Sequence, residues 1–141
     1  SEYTVAWLAA DSPHGYELAL KWIKAKAEHT AAAGWSTLSS WMSIKADDEL
    51  DIATLEDLLD QVANSIHDQP NRVRYAMNGF VIACGSYVAG LTEKAQEVAT
   101  KIGKVKVEMG GTACKVPLAD AYIEKVIKAD RIGKKRKMAR C

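Results

Sequence analysis

Apolar residues recur every three or four positions along most of this chain, and this spacing constrains the fold more than any other feature. An α-helix has about 3.6 residues per turn, so such a stripe covers one helix face, whereas a half-buried strand alternates every second residue. The clearest stripe has acids on its opposite face and consists of Ile52, Leu55, Leu59, Val62 and Ile66. Because alternation is found only at residues 104–108, the chain is predicted to be all-α.

Turn and capping residues divide this pattern into six helical segments. Pro13, Pro70 and Pro117 stand where helices are predicted to begin, Thr92 is predicted to cap the fifth helix, and Gly103 to end it. The predicted helices cover residues 14–25, 28–45, 52–67, 70–88, 92–103 and 118–129. Short connections join them into three hairpins about 40 residues apart, which is the repeat length of HEAT and armadillo proteins. We therefore predict a HEAT-like or armadillo-type stack of antiparallel helical hairpins.

Length and charge set the predicted domain organisation. A chain of 141 residues with 48% apolar content is expected to form one domain with its own core. We assign residues 1–130 to a single helical-repeat domain, and the start at Ser1 amid apolar side chains suggests a piece of a longer protein. Residues 131–141 carry six cations and no acid and are predicted to be a disordered basic tail. The other 130 residues hold 13 cations and 18 acids, a net charge of −5.

Cysteine and histidine usage excludes several classes of protein. The chain has three cysteines, Cys84, Cys114 and Cys141, and no two of them form a CxxC pair. This sparse, odd number favours a reducing cytoplasmic location over a secreted disulfide framework, and Cys84 is predicted to be a core residue. The three histidines show no ligand spacing, so neither a metal nor another cofactor is expected. No apolar run reaches about 18 residues, so no membrane partner is expected.

The start of the fourth predicted helix carries the most informative polar residues. Arg74 and Asn78 are four positions apart and share a helix face, and a helix N-terminus attracts anions. The predicted DNA-contacting residues are Arg72, Arg74, Asn78, Lys101, Lys104 and Lys106. The alternative interpretation is a solvated helix entrance, or arginines paired with acids such as Asp60 or Asp68.

Other candidate sites have simpler structural interpretations. The tryptophans at 22, 35 and 41 are able to stack on an unpaired base, yet tryptophan at helical spacing favours a core position. Residues 110–115, GGTACK, lack the spacing of a phosphate-binding loop and are predicted to form a turn. Cys114 beside Lys115 offers weak support for a reactive thiol. A basic tail is typical of a phosphate-binding or localisation segment, and equally of a solubilising end.

Several short motifs in a fixed order resemble the DNA alkylation repair family, which comprises HEAT-like repeat proteins related to alkylpurine DNA glycosylases. The motifs are AGWSTLSSWM, NRVRYAMN, IGKV, MGGTACKVP and YIEKV. From about residue 12 onward the chain is similar to the C-terminal part of that family. The resemblance implies a right-handed stack of helical hairpins with a concave, cationic face. It also implies duplex DNA, alkylated or not, as the partner.

The resemblance also sets an expectation for catalysis. Glycosylases of this family hold damaged duplex against aromatic residues, an Asp and an Arg. Here Ile82 stands where that Arg is expected, and no Asp aligns near Tyr3 and Trp7. We therefore assign no catalytic residue, although an active form would be a glycosylase that removes N-alkylated purines. The leading hypothesis is a DNA-binding domain that contacts the duplex backbone. The alternative is a non-enzymatic helical-repeat module for protein–protein interaction, which the acidic body favours.

Overall fold

The computed structural model describes residues 14–106 and 117–135. These residues contain helices and connections, with no strand among them. The helices are α1 (Gly15–Trp22), α2 (Glu28–Ile44), α3 (Ile52–Ser65), α4 (Asn71–Tyr87), α5 (Thr92–Ile102) and α6 (Ala119–Lys128). Short 3-10 helices lie in the connections at Asp47–Glu49, Ile66–Asp68 and Ala89–Leu91. The six predicted helices are thus all present, most of them with ends within two residues of the prediction, and α1 ends three residues earlier.

The helices pack in two layers. In one layer α4 lies between α2 and α6, and its contact with α2 is the most extensive in the molecule. In the other layer α3 packs against α5, while α1 packs against α2. Helix α5 contacts both α4 and α6, which joins the layers. Although α3 and α4 are consecutive, each packs more extensively on a helix of its own layer than on the other.

The core lies between α2 and α4. Trp35 and Phe80 are fully buried, and their rings meet edge to face with centroids 5.0 Å apart. This edge-to-face arrangement is favourable for aromatic pairs. Cys84 is also fully buried, with its Sγ 3.6 Å from Sδ of Met42. Burial raises the pKa of the Cys84 thiol well above its usual range, so the predicted core role of this cysteine is confirmed.

The helix ends show where local sequence signals apply. Asp51 precedes α3, and its carboxylate accepts hydrogen bonds from the backbone N–H and hydroxyl of Thr54, which lower its pKa. Gly103 ends α5 with a φ of 61°, as predicted. The cap predicted for Thr92 is wrong. Its hydroxyl instead donates to the carbonyls of Gly85 and Val88, at 2.9 and 3.3 Å, and so satisfies the C-terminal end of α4.

The chain after α6 lies against the helices as far as residue 135. The backbone N–H of Gly133 donates to the carbonyl of Ser86 at 2.9 Å. Lys135 Nζ lies 2.9 Å from the carbonyl of Met42 and 2.8 Å from Oδ1 of Asp47. Residues 131–135, which the sequence places in a disordered tail, therefore pack against α2 and α4. The predicted turn at 110–115, Cys114, the Pro13 helix start and the tail beyond residue 135 lie outside the described residues.

Candidate nucleic-acid interface

Arg74 joins the start of α4 to the chain that follows α5. Its Nε donates to the carbonyl of Gln69 at 2.5 Å, and its Nη1 donates to the carbonyl of Lys106 at 3.1 Å. The guanidinium is half-buried, and its described partners are these backbone oxygens rather than an acid. Asp60, one of the acids considered as a partner, pairs instead with Lys94 at 3.1 Å. Arg74 therefore fixes the position of the residues after α5.

Asn78 lies inside the fold instead of projecting from it. Only 2% of its surface is exposed, and its Nδ2 donates to the carbonyl of Pro117 at 2.9 Å. Its Oδ1 is buried without a partner among the described residues. The expectation that Asn78 shares an exposed face with Arg74 is not met, because the start of α6 covers that position. In this conformation its role is to attach α6 to α4.

Four exposed cations lie where the ends of α3, α4 and α5 meet. We call them the basic edge: Arg72, Lys101, Lys104 and Lys106. The Arg74 bond places the last two beside the start of α4. Lys101 Nζ lies 3.4 Å from Oδ1 of Asn64, and His67 Nε2 lies 2.8 Å from the carbonyl of Ile102. The structure thus brings all the predicted cations to one end of the stack, with Asp68 an exposed acid at the same end.

Replacing Arg74 tests its positioning role. We expect Arg74→Ala to lower the free energy of unfolding by about 1–3 kcal/mol, because it leaves two carbonyls without their charged donor. Amide exchange of residues 103–106 should accelerate in the same variant. The control is Lys94→Ala, which breaks a surface ion pair and should change stability by about 1 kcal/mol or less. Equal effects of the two substitutions, with unchanged exchange, would show that Arg74 does not hold this segment.

The three candidate tryptophans occupy different environments. Trp35 is fully buried and belongs to the core, which confirms the core interpretation for this residue. Trp22 and Trp41 are half-buried. The Trp41 ring lies 6.1 Å from the ring of Tyr16, and Lys45 Nζ lies 4.7 Å from its centroid. The faces of Trp41 thus already have an aromatic and a cationic neighbour.

A second polar site, which sequence reasoning missed, lies between α4 and α6. A cavity of about 200 Å³ is lined by Ile82 and Ser86 from α4 and by Tyr122 and Val126 from α6. Ile82 is the residue found where the family resemblance expects an Arg. The two lining residues of α4 are four positions apart and so lie on one face of that helix, and the same holds for the two of α6. That spacing is the one signal of the site in the sequence, and it does not show that the two faces meet.

The described residues show neither a candidate metal centre nor a candidate membrane span. Within residues 14–106 and 117–135, no group of three or more His, Cys, Asp or Glu side chains is placed to hold a metal ion. In the same ranges, no helix is long and apolar enough to cross a membrane. What the described surface offers is cations at one end of the stack and a small cavity near the other end of α4.

The two-layer packing defines a HEAT-like helical-repeat protein. A solved structure that is 31% identical matches this chain with a TM-score of 0.91, over 99% of this chain and 60% of the other. That protein is described as one of a new family related to the HEAT-like repeat DNA glycosylases, with affinity for branched DNA structures. The predicted all-α, HEAT-like fold is therefore confirmed.

The chain belongs to the DNA alkylation repair enzyme family, whose sequence model matches residues 1–105. Two similar curated proteins, both uncharacterized, are 41% identical to it. Lmo0209 of Listeria monocytogenes aligns over 104 residues, which is 74% of this chain and 43% of the relative. Lin0241 of Listeria innocua aligns over 107 residues, 76% of this chain and 45% of the relative. The match covers less than half the length of either relative.

Proposed function

We propose that this chain binds branched DNA through contacts between its basic edge and the sugar–phosphate backbone. The observation that carries the proposal is the bond from Arg74 to the carbonyl of Lys106, which holds Lys104 and Lys106 beside the start of α4. Exposed cations fixed in this way are suited to phosphates, whose contacts position a protein on DNA without reading its sequence. The affinity of the similar solved protein for branched DNA supports the choice of ligand.

A branch point suits a compact group of cations. Phosphates of two arms converge where a duplex branches, so a small basic surface meets more negative charge there than on a straight duplex. The N-terminus of α4 also lies at the basic edge, and a helix N-terminus favours anions. The acidic balance of the rest of the chain opposes a wider DNA-binding surface, since acids repel phosphates elsewhere. We therefore place the DNA contact at one end of the stack.

Base excision is not part of this proposal. The Arg that the family resemblance expects in the repeat helix is replaced by Ile82, a half-buried apolar side chain that lines the cavity between α4 and α6. An isoleucine supplies neither a charge nor a hydrogen bond to a phosphate. We therefore expect the 141-residue chain to bind alkylated duplex without releasing a methylated purine.

The test removes three lysines of the basic edge from the full 141-residue chain. We expect Lys101→Ala/Lys104→Ala/Lys106→Ala to weaken binding to a four-way DNA junction. Because each neutralised phosphate adds about 0.9 to the slope of log K against log salt concentration, that slope should fall by about 2–3. The measurement is fluorescence anisotropy of labelled junctions across a salt series. Ending the chain at residue 130 is unsuitable, because it removes the contacts of Lys135 with Met42 and Asp47.

The matched control removes the same number of lysines elsewhere. Lys24, Lys26 and Lys125 are exposed residues outside the basic edge, and Lys24→Ala/Lys26→Ala/Lys125→Ala makes the same change in net charge. We expect this control to retain most of the junction affinity and the salt slope. If both triple variants lose junction affinity and salt slope equally, the loss is a non-specific effect of net charge. An unchanged slope in the basic-edge variant would reject the proposed contact.

A protein partner is the second candidate function, favoured by the surface of α6. Three large apolar side chains in α6 or directly before it are exposed: Leu118, Tyr122 and Ile127. Leu118 and Tyr122 are four positions apart, which is the spacing of neighbours on one helix face, and neighbouring exposed apolar side chains are typical of interaction surfaces. If the basic-edge variant binds junctions as tightly as the parent chain, with the same salt dependence, this second function gains support over DNA binding.

A further inference from the structure

The cavity between α4 and α6 is closed on a third side by the chain that follows α6. Beside the four residues described above, its lining includes Tyr87, Arg131 and Lys134. The hydrogen bond from Gly133 to Ser86 holds this segment against α4 at 2.9 Å. The bonds of Lys135 to Met42 and Asp47 anchor it again two residues later. The two cations at the cavity therefore belong to a docked segment.

One residue that lines the cavity has a hydroxyl without a partner in the described structure. Ser86 is 6% exposed, and its Oγ is buried without a hydrogen bond among the described residues. A buried hydroxyl without a partner is unfavourable relative to a satisfied one. Ser86 thus adds an unsatisfied hydroxyl to a lining that also includes the apolar side chains of Ile82 and Val126.

We propose that this cavity binds a single unpaired nucleotide, and this inference rests on the proposed function of binding branched DNA. Tyr122 is 46% exposed, so its ring is accessible for stacking on a base. The Ser86 hydroxyl meets a polar edge of the base, while Arg131 and Lys134 bind the attached phosphate. A volume of about 200 Å³ admits one base-sized group, and it is smaller than the 300–1,000 Å³ of common ligand pockets.

Each part of this assignment follows from nucleotide chemistry. Every nucleotide has a base with apolar faces and polar edges and also carries a phosphate, so it matches an aromatic ring, an apolar wall, a hydroxyl and two cations. Stacking of a base on an aromatic ring favours binding and depends little on sequence, because every base has a π-face. The apolar Ile82 leaves the cavity wall uncharged, which suits a neutral base. Branched DNA whose arms are not fully paired supplies unpaired nucleotides where its arms meet.

The experiment compares two labelled duplexes that differ by one unpaired nucleotide. One carries a single bulged 2-aminopurine, and the other pairs the same base with thymine. We expect the full chain to bind the bulged duplex about tenfold more tightly, with quenching of 2-aminopurine fluorescence as the base stacks on Tyr122. Tyr122→Ala should abolish both the preference and the quenching, whereas Tyr122→Phe should retain them.

Two further variants test the polar contacts. Ser86→Ala should reduce the preference for the bulge about threefold without lowering thermal stability, because the lost hydroxyl has no protein partner. Arg131→Ala/Lys134→Ala should reduce it about tenfold, as expected for two phosphate contacts. The charge-matched control Lys125→Ala/Lys128→Ala, on exposed positions of α6, should leave it unchanged.

The outcomes separate this inference from the proposed function. Variants of the cavity should lose the bulge preference yet still bind a fully paired four-way junction, which depends on the basic edge. Equal binding of the bulged and paired duplexes, or equal loss in the control variant, would overturn the assignment even if junction binding persists. Competition by free thymidine monophosphate without any bulge preference would identify a free mononucleotide as the occupant and would also overturn it.

Discussion

Phe80→Ala is expected to lower the free energy of unfolding by about 3–5 kcal/mol. Phe80 is fully buried on α4, and its ring meets the Trp35 ring of α2 with a centroid distance of 5.0 Å. The substitution removes apolar surface from the core and leaves a cavity at the most extensive helix contact in the molecule. Urea denaturation followed by far-ultraviolet circular dichroism measures the loss.

An exposed residue provides the control for this substitution. Ile127 is 40% exposed on α6, so Ile127→Ala deletes apolar atoms that are already partly in water. We expect it to change the free energy of unfolding by less than about 1 kcal/mol. A loss below about 1 kcal/mol for Phe80→Ala would show that the α2–α4 contact does not carry the stability assigned to it here.

The helices were predictable because the spacing of apolar residues along the sequence shows which face of each helix is buried. The stripe that begins at Ile52 predicted a helix over 52–67, and the structure has Ile52–Ser65 followed by the short 3-10 helix Ile66–Asp68. Packing alters only the last turn of such a segment. The Thr92 cap failed for a different reason. A hydroxyl near a helix start favours capping locally, but here the carbonyls at the end of α4 lie within its reach.

The candidate site was less predictable, because its geometry depends on distant parts of the chain. The spacing of Arg74 and Asn78 predicted correctly that they lie one turn apart on the same helix. It did not show that Arg74 donates to the carbonyl of Lys106, 32 residues away. Nor did it show that Asn78 donates to the carbonyl of Pro117, 39 residues away. These long-range contacts convert two expected DNA contacts into a positioning residue and a buried attachment point for α6.

The cavity could not be predicted while the chain after Asp130 was interpreted as a disordered tail. A segment rich in cations is usually solvated, and its composition gives no sign of docking. Docking here depends on the Asp47 carboxylate, which pairs with Lys135, and on the carbonyls of Ser86 and Met42, which accept from Gly133 and Lys135. Backbone acceptors leave no signature in the sequence. The two cations at the cavity therefore become visible only when the fold is known.

Two glycines of the central helices are expected to respond in opposite directions to the same substitution. At Gly34 in α2, an added Cβ would lie 2.7 Å from the backbone N of Ile23 and 2.9 Å from Cβ of Trp22. Neither neighbour is the flexible end of a side chain, so α1 must shift away from α2. We expect Gly34→Ala to lower the free energy of unfolding by about 2–3 kcal/mol despite the better helix propensity of alanine.

Gly79 in α4 is the matched control, because an added Cβ there meets no described atom within 4 Å. Alanine in a helix interior is favoured over glycine by about 0.5–1 kcal/mol, so Gly79→Ala should stabilise the protein by about that amount. The free energies of unfolding of the two variants should therefore differ by about 3 kcal/mol. Because both exchanges are glycine to alanine, this difference separates the effect of the α1–α2 contact from that of helix propensity. Urea denaturation of both measures it. If Gly34→Ala also stabilises, then α1 does not pack on α2 as closely as the structure shows.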